Sequence, residues 1–279
     1  MCCAVNWLEK ISVKTATLPK PLMLSEQHLS SLAAMRVFFG HQSIGNNILQ
    51  GIREIMQSDP RLKIRIVRSA EPHTVPGPAL IEFDIGQNGD ARSKDQAFAA
   101  VVEKGKGLPG TVAMYKYCYA DMDSSTDVQR LFQGYRQTIS ALKAKYSWLT
   151  IVHIAVPLTV VEPASKAWIK NRLGRVTARS LNAKRNQFND LLRHTYADAE
   201  PIFDLAEVES THRDGSRCFF MRGTEKIYAL APELTIDGGH LNEEGGRVAA
   251  ERLLETLSSL AVRELHGAYS AQENRQLQA

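Results

Sequence analysis

The sequence predicts an α/β fold: a three-layer α/β/α sandwich around a mainly parallel, flavodoxin-like sheet of about five strands. Three observations predict it. Short apolar runs alternate along the chain with segments of helical period. Such alternation builds parallel strands joined by right-handed crossovers, with helices on both faces. The residues with most chemical character follow strand-like runs, at the carboxyl rim where such sheets bind ligands. The 279 residues are 44% hydrophobic and 23% charged, an ordinary balance for a chain that buries a full core.

Taken in order, residues 1–24 are a polar, proline-containing lead-in, 25–264 read as one domain, and 265–279 read as a disordered polar tail. Ser25 caps a short helix that ends near Ala34. Residues 35–39 form the first strand. Residues 43–58 place Ile44, Ile48, Ile52 and Ile55 at helical spacing. Residues 62–68 alternate as a strand does, and 71–78 hold three prolines and must be loop. Residues 83–95 read as a second loop, carrying Gly86, Asn88 and Gly89, and 94–104 as a helix. Residues 111–119 are an aromatic strand. Val128, Phe132, Tyr135, Ile139 and Leu142 mark the next helix. Residues 148–156 are the clearest buried strand, ended by Pro157. Leu181, Phe188, Leu192 and Tyr196 trace another helix, and 200–205 a short strand. Residues 217–221 and 226–230 pair as a hairpin. Asn242 caps a final helix that runs to about Glu264.

Composition excludes several classes. Net charge is +4 and the basic residues are scattered. The densest group, 166–185, alternates with apolar positions and reads as the solvated face of a loop and helix, not a nucleic-acid footprint. The four cysteines include no CxxC pair, so no zinc ribbon is suggested. Cys118 reads as a small core residue. Cys2 and Cys3 lack the accompanying signals of lipid anchoring. No stretch of about 18 apolar residues predicts a membrane span. The start shows no secretory signal, so the chain as written is expected in the cytoplasm, with export open if the start is misplaced or trimmed. Neither a dinucleotide nor a phosphate-loop signature is present, and no cofactor is expected.

Two segments carry the chemistry. Ser43 lies in Phe38-Phe39-Gly40-His41-Gln42-Ser43-Ile44-Gly45, between the first strand and its helix. Asp237-Gly238-Gly239-His240-Leu241-Asn242 precedes the last helix. A hydroxyl attacks at neutral pH only when a base takes its proton. A histidine serves best when a carboxylate fixes its tautomer. A plainer reading makes Ser43 a helix cap and Asp237-Gly238-Gly239 a turn. His153, in the most apolar strand, reads as a satisfied core histidine. Asp121, Asp123 and Asp127 read as loop and helix caps in preference to a metal site. His240 and Asp237 lack further ligands at metal spacing.

These two segments resemble the SGNH-type (GDSL-like) hydrolases over roughly residues 35–262. The resemblance implies Ser43 as nucleophile, His240 as general base and then acid, and Asp237 as its orienting partner. It also implies a glycine N–H and an asparagine amide as oxyanion donors. The chain departs from the family where Gly40-His41-Gln42-Ser43 replaces a Gly-Asp-Ser block. It departs again where Cys118-Tyr119-Ala120-Asp121 keeps an aspartate but lacks the glycine and asparagine. Gly86 and Gly89 are the candidate N–H donors, with Asn88 in place of the missing amide. Gln42 and His41 are candidate substrate contacts. The implied activity is hydrolysis of short acyl esters, including O-acetyl groups on carbohydrate, through an acyl-serine. The partner is thus a small-molecule or carbohydrate ester. The altered blocks leave two alternatives open: a non-catalytic carbohydrate- or partner-binding protein on the same fold, and an O-acyltransferase.

Overall fold

The computed structural model describes residues 24–276 except 106, 107, 109 and 174; for 170–171 and beyond 260 it describes the backbone alone. The lead-in read at 1–24, with Cys2 and Cys3, lies almost wholly outside the described residues. The chain runs α1 (Glu26–Ala34), β1 (Arg36–His41), α2 (Ile44–Ser58), β2 (Ile66–Arg68), β3 (Ala79–Asp84), α3 (Ala91–Lys104), β4 (Thr111–Tyr115) and α4 (Val128–Lys145). It continues through β5 (Thr150–Ile154), α5 (Ala164–Arg172), α6 (Ala178–Tyr196), β6 (Ile202–Phe203), α7 (Leu205–Glu209), β7 (Phe219–Arg222), β8 (Glu225–Tyr228) and α8 (Glu243–Gln276).

The main sheet has six parallel strands in the order β2-β3-β1-β4-β5-β6. Without the edge strand β2, this is the flavodoxin order. The strand β3 is the one the sequence reading missed. Pro78 stands at its start, and Glu82 and Asp84 interrupt its apolar run. Glu82 is buried there because His41, Arg53 and Arg68 all reach it. A buried, partnered carboxylate overrides propensity.

Side chains alternate across the sheet, as the pleat requires. Val37, Phe39, Val112, Met114, Val152 and Ile154 face a core closed by α1, α2 and α8. Phe38, Ile81, Phe83, Ala113, Tyr115 and Ile151 face the opposite core, under α3, α4 and α6. This is the predicted three-layer sandwich. The hairpin forms with Gly223 and Thr224 between β7 and β8, as the sequence reading placed it. His153 is the expected core histidine: it bonds to Tyr135 Oη (2.7 Å) and Glu200 (3.2 Å) and stacks on Tyr196. Cys118 is buried.

The last helix does not stop at Glu264, and the tail read as disordered continues it to Gln276. Residues 270–276, Ser-Ala-Gln-Glu-Asn-Arg-Gln, are mostly good helix formers, so nothing local ends the helix. No helix among the described residues is long and apolar enough to cross a membrane.

Candidate active site

Ser43 stands at the start of α2, but its side chain makes no capping hydrogen bond. The plain cap reading therefore fails. Its hydroxyl has no hydrogen-bond partner among the described residues, and the residue is half-buried. The turn that presents it is shaped by close packing. A Cβ on Gly45 would stand 2.2 Å from His41 Cγ, so only glycine fits there.

His41 is closed off from solvent, and the half-buried Gln42 commits its amide nitrogen to the backbone. His41 is fully buried, and its Nε2–H donates to Glu82 Oε2 at 3.1 Å. Burial holds its pKa below the ordinary value, so the ring is neutral at pH 7. Its Nδ1 is buried with no partner. Gln42 Nε2 donates to the carbonyls of Ile85 (2.9 Å) and Gly86 (2.8 Å). Gln42 thus ties the loop after β3 to the start of α2.

That loop holds the candidate oxyanion donors. Gly86 has φ +48°, and a Cβ there would stand 2.6 Å from the Lys94 nitrogen. Glycine is required on both counts. The N–H groups of Gly86 and Ser43 donate to no partner among the described residues. Gly89 differs: its N–H is taken by Asp121 Oδ1 at 2.8 Å. Asn88 is exposed, and its Oδ1 accepts from Lys94 Nζ at 3.1 Å. Lysine only donates, so this bond leaves the Asn88 NH₂ as a free donor.

Asp121 is the knot between the loops after β3 and β4. Its Oδ2 accepts from Lys94 Nζ (2.5 Å) and from the Cys118 N–H (2.7 Å), and both side chains of the ion pair are fully buried. Asp123 accepts from Ser125 and Thr126, and Asp127 caps α4 at the Arg130 N–H. Asp123 and Asp127 thus cap a turn and a helix as the sequence predicts, whereas Asp121 is the buried counter-charge of Lys94. No group of three metal-ligating side chains occurs among the described residues.

Asp237 and His240 meet as their spacing implies. His240 Nδ1–H donates to Asp237 Oδ2 at 2.6 Å. Asp237 Oδ1 accepts from the backbone N–H of His240 (2.8 Å) and of Gly239 (3.0 Å). The His240 N–H, then its ring, then the Gly239 N–H hold the Asp237 carboxyl well below the usual range. Thr235 Oγ1 closes the loop, donating to the His240 carbonyl and accepting from Gly238. With Nδ1 committed to the carboxylate, Nε2 is left to accept a proton.

Tyr119 is a neighbour of His240 that sequence reasoning passed over, noting it only where an asparagine was missing. Its ring meets His240 edge-on at 5.9 Å, and a Cβ on Gly239 would stand 3.1 Å from it. The buried Arg185 donates from Nε (3.2 Å) and Nη2 (3.0 Å) to the Tyr119 carbonyl. Burial pulls the Arg185 pKa down to about 10, so it stays charged at pH 7. Tyr119, Met122, Thr159, Val176 and Leu181 line a cavity of about 510 Å³ beside this support.

Ser43 and His240 share no hydrogen bond among the described residues. Their helices nevertheless start side by side. A Cβ on Gly246 would stand 2.7 Å from the Asn47 carbonyl oxygen, and one on Gly51 would stand 2.9 Å from Ala250 Cβ. The two contacts advance in the same direction along both helices. The N-terminus of α2, with Ser43, and that of α8, behind His240, therefore lie at one end of the pair.

No family model and no curated protein matches the chain. Solved structures do. A carbohydrate esterase family 3 protein from Talaromyces cellulolyticus superposes at TM-score 0.51 and 14% identity, over 82% of this chain and 99% of that one. A serine-to-alanine mutant of an acetyl esterase, holding acetate, gives the same values: TM-score 0.51, 14% identity, 82% and 99%. A GDSL-like lipase from Bacteroides thetaiotaomicron gives TM-score 0.50 and 12% identity, over 82% and 89%. At such identities the likeness speaks for the fold alone, and the chain has the α/β/α fold of the SGNH/GDSL-type hydrolases.

Proposed function

We propose that this chain is a serine esterase that cleaves carboxylic esters through an acyl-serine. The observation that carries this reading is the Asp237–His240 pair, wired by three hydrogen bonds, at the same end of the α2–α8 pair as an uncommitted Ser43 hydroxyl. Apo sites often hold the nucleophile and base apart until substrate binds, so the missing Ser43–His240 bond is compatible with it.

In the proposed reaction, Ser43 Oγ attacks the ester carbonyl while His240 Nε2 takes its proton. Asp237 stabilises the imidazolium that forms. The oxyanion is held by the N–H groups of Ser43 and Gly86 and by the Asn88 amide; the positive end of the α2 dipole adds to them. The Gly89 N–H, bound to Asp121, supports the loop and takes no part. His240 then protonates the leaving alcohol and activates a water. The water attacks the acyl-serine and releases the acid. Short acyl groups, carbohydrate O-acetyl groups among them, are the proposed substrates. The folds named for acetyl and carbohydrate esterases support that choice.

The test is p-nitrophenyl acetate turnover by wild type and Ser43→Ala. Turnover by wild type and its loss in the variant support the reading. Equal rates in both overturn the assignment of Ser43, and no turnover in either favours a binding protein on this fold.

A further inference from the structure

The exposed large hydrophobic side chains among the described residues are not scattered. They fall in three segments: Trp168, Ile169, Leu173 and Val176 on and after α5; Phe219 and Met221 on one face of β7; and Ile236, beside Asp237. Trp168 is 60% exposed, Leu173 65% and Ile236 77%. Single exposed apolar residues need no explanation, but a clustered set does.

The three segments meet at one short stretch of chain. The Val160 N–H donates to the Gly238 carbonyl at 2.9 Å, which ties the Ile236 loop to the segment after β5. Val161 packs with Phe220, Ile227 and Ala229, which ties the hairpin to the same place. Arg179, just after the α5 segment, lies over the Phe220 ring at 4.7 Å. Val176 also lines the cavity beside Tyr119. Residues 160–161 thus tie the three segments to one side of the molecule, with Ile236 next to Asp237 in sequence.

The charge of this surface selects its occupant. Residues 164–179 carry Lys166, Lys170, Arg172, Arg175 and Arg179 and no Asp or Glu. Ala167 is the one core-facing residue among the described side chains of α5. A helix with tryptophan and isoleucine exposed and cations beside them suits an interface between apolar and anionic phases. Arg172 stacks on Trp168 at 5.1 Å, and Lys226 sits over Phe219 at 4.9 Å, so cations flank the apolar groups directly. The sequence predicts these cations to be a solvated face; the structure sets exposed apolar groups among them.

We propose that α5, with the segment that follows it and the Ile236 loop, docks the protein on an anionic lipid surface. Trp168, Ile169, Leu173 and Ile236 enter the headgroup region. Lys166, Arg172 and Arg175 meet lipid phosphate and carboxylate groups. The inference does not rest on turnover, because docking is read by binding alone.

The experiment is co-sedimentation of the full chain with phosphatidylcholine vesicles, with and without phosphatidylserine. Wild type and Ser43→Ala bind the phosphatidylserine vesicles equally and leave phosphatidylcholine alone. High salt releases both. Lys166→Glu/Arg172→Glu/Arg175→Glu weakens binding by roughly a hundredfold. Trp168→Ser/Leu173→Ser also weakens it, with circular dichroism and any turnover of soluble ester unchanged. No binding to the anionic vesicles overturns the proposal. So does equal binding by the variants, or a dimer in solution that Trp168→Ser/Leu173→Ser dissolves, which would make this face a contact between copies.

Discussion

The Gly246 backbone lies so close to the Asn47 carbonyl oxygen that a Cβ on Gly246 would stand 2.7 Å from it. This contact sets how near the helix behind His240 comes to the helix that Ser43 begins. Gly246→Ala forces the two apart and should destabilise the protein by about 1–3 kcal/mol, the usual cost of overpacking. Thermal melts measure that loss. Ester turnover should fall further than the lost folded fraction explains.

Asp237→Asn keeps the shape of the loop but removes the carboxylate that fixes the His240 tautomer. Turnover should fall by about 10³–10⁴-fold, as when a triad aspartate is replaced by its amide. The melting temperature should change little, because the Asp237 side chain is exposed. Steady-state kinetics and a thermal melt on the same sample separate the two effects.

Tyr119 supports His240 by its ring, and its hydroxyl makes no hydrogen bond among the described residues. Tyr119→Phe should therefore leave turnover within about twofold, whereas Tyr119→Ala should lower kcat by at least about tenfold through a misplaced imidazole. Equal kinetics for the two variants would sever Tyr119 from the site.

The buried Lys94–Asp121 pair holds the loops after β3 and β4 together. Asp121→Ala leaves the Lys94 ammonium buried without its counter-charge, with only the Asn88 oxygen beside it. A loss of about 3–5 kcal/mol in denaturant unfolding is expected.

Glu209 is fully buried, and burial pushes its pKa up to about 8. In the unfolded chain a glutamate titrates near ~4.3. The folded state therefore holds a proton that the unfolded state gives up between these values. Its stability contribution is whole below about pH 4.3 and is lost as pH rises through about 8. Glu209→Gln removes that slope. Melting temperatures measured from pH 5 to about 9 should fall more for wild type than for the variant.

Much of this was legible in the sequence. Periodicity gave the layers, and the Asp237–His240 spacing was enough to predict their contact, because a carboxylate and an imidazole three residues apart meet within one turn. β3 was hidden because Glu82 reads as a surface residue until His41, Arg53 and Arg68 are brought to it. His41 looked like a site residue because it is two positions from Ser43. In a strand it is the fully buried register position, and only the burial of β1 shows that. The role of Gly89 depended on Asp121, 32 residues away, and that of Tyr119 on Arg185, 66 away. Neither distance is encoded in local spacing. On and after α5, Trp168, Ile169, Leu173 and Val176 are interleaved with cations, and local sequence does not show that no other element covers them.

The most direct test of the central claim is fluorophosphonate labelling read by intact mass and peptide mapping. Wild type should take one label, on the peptide that contains Ser43. His240→Ala should label far more slowly, and Ser43→Ala not at all. A label on another residue, or none on folded wild type, would contradict the assignment of Ser43 as a nucleophile activated by His240.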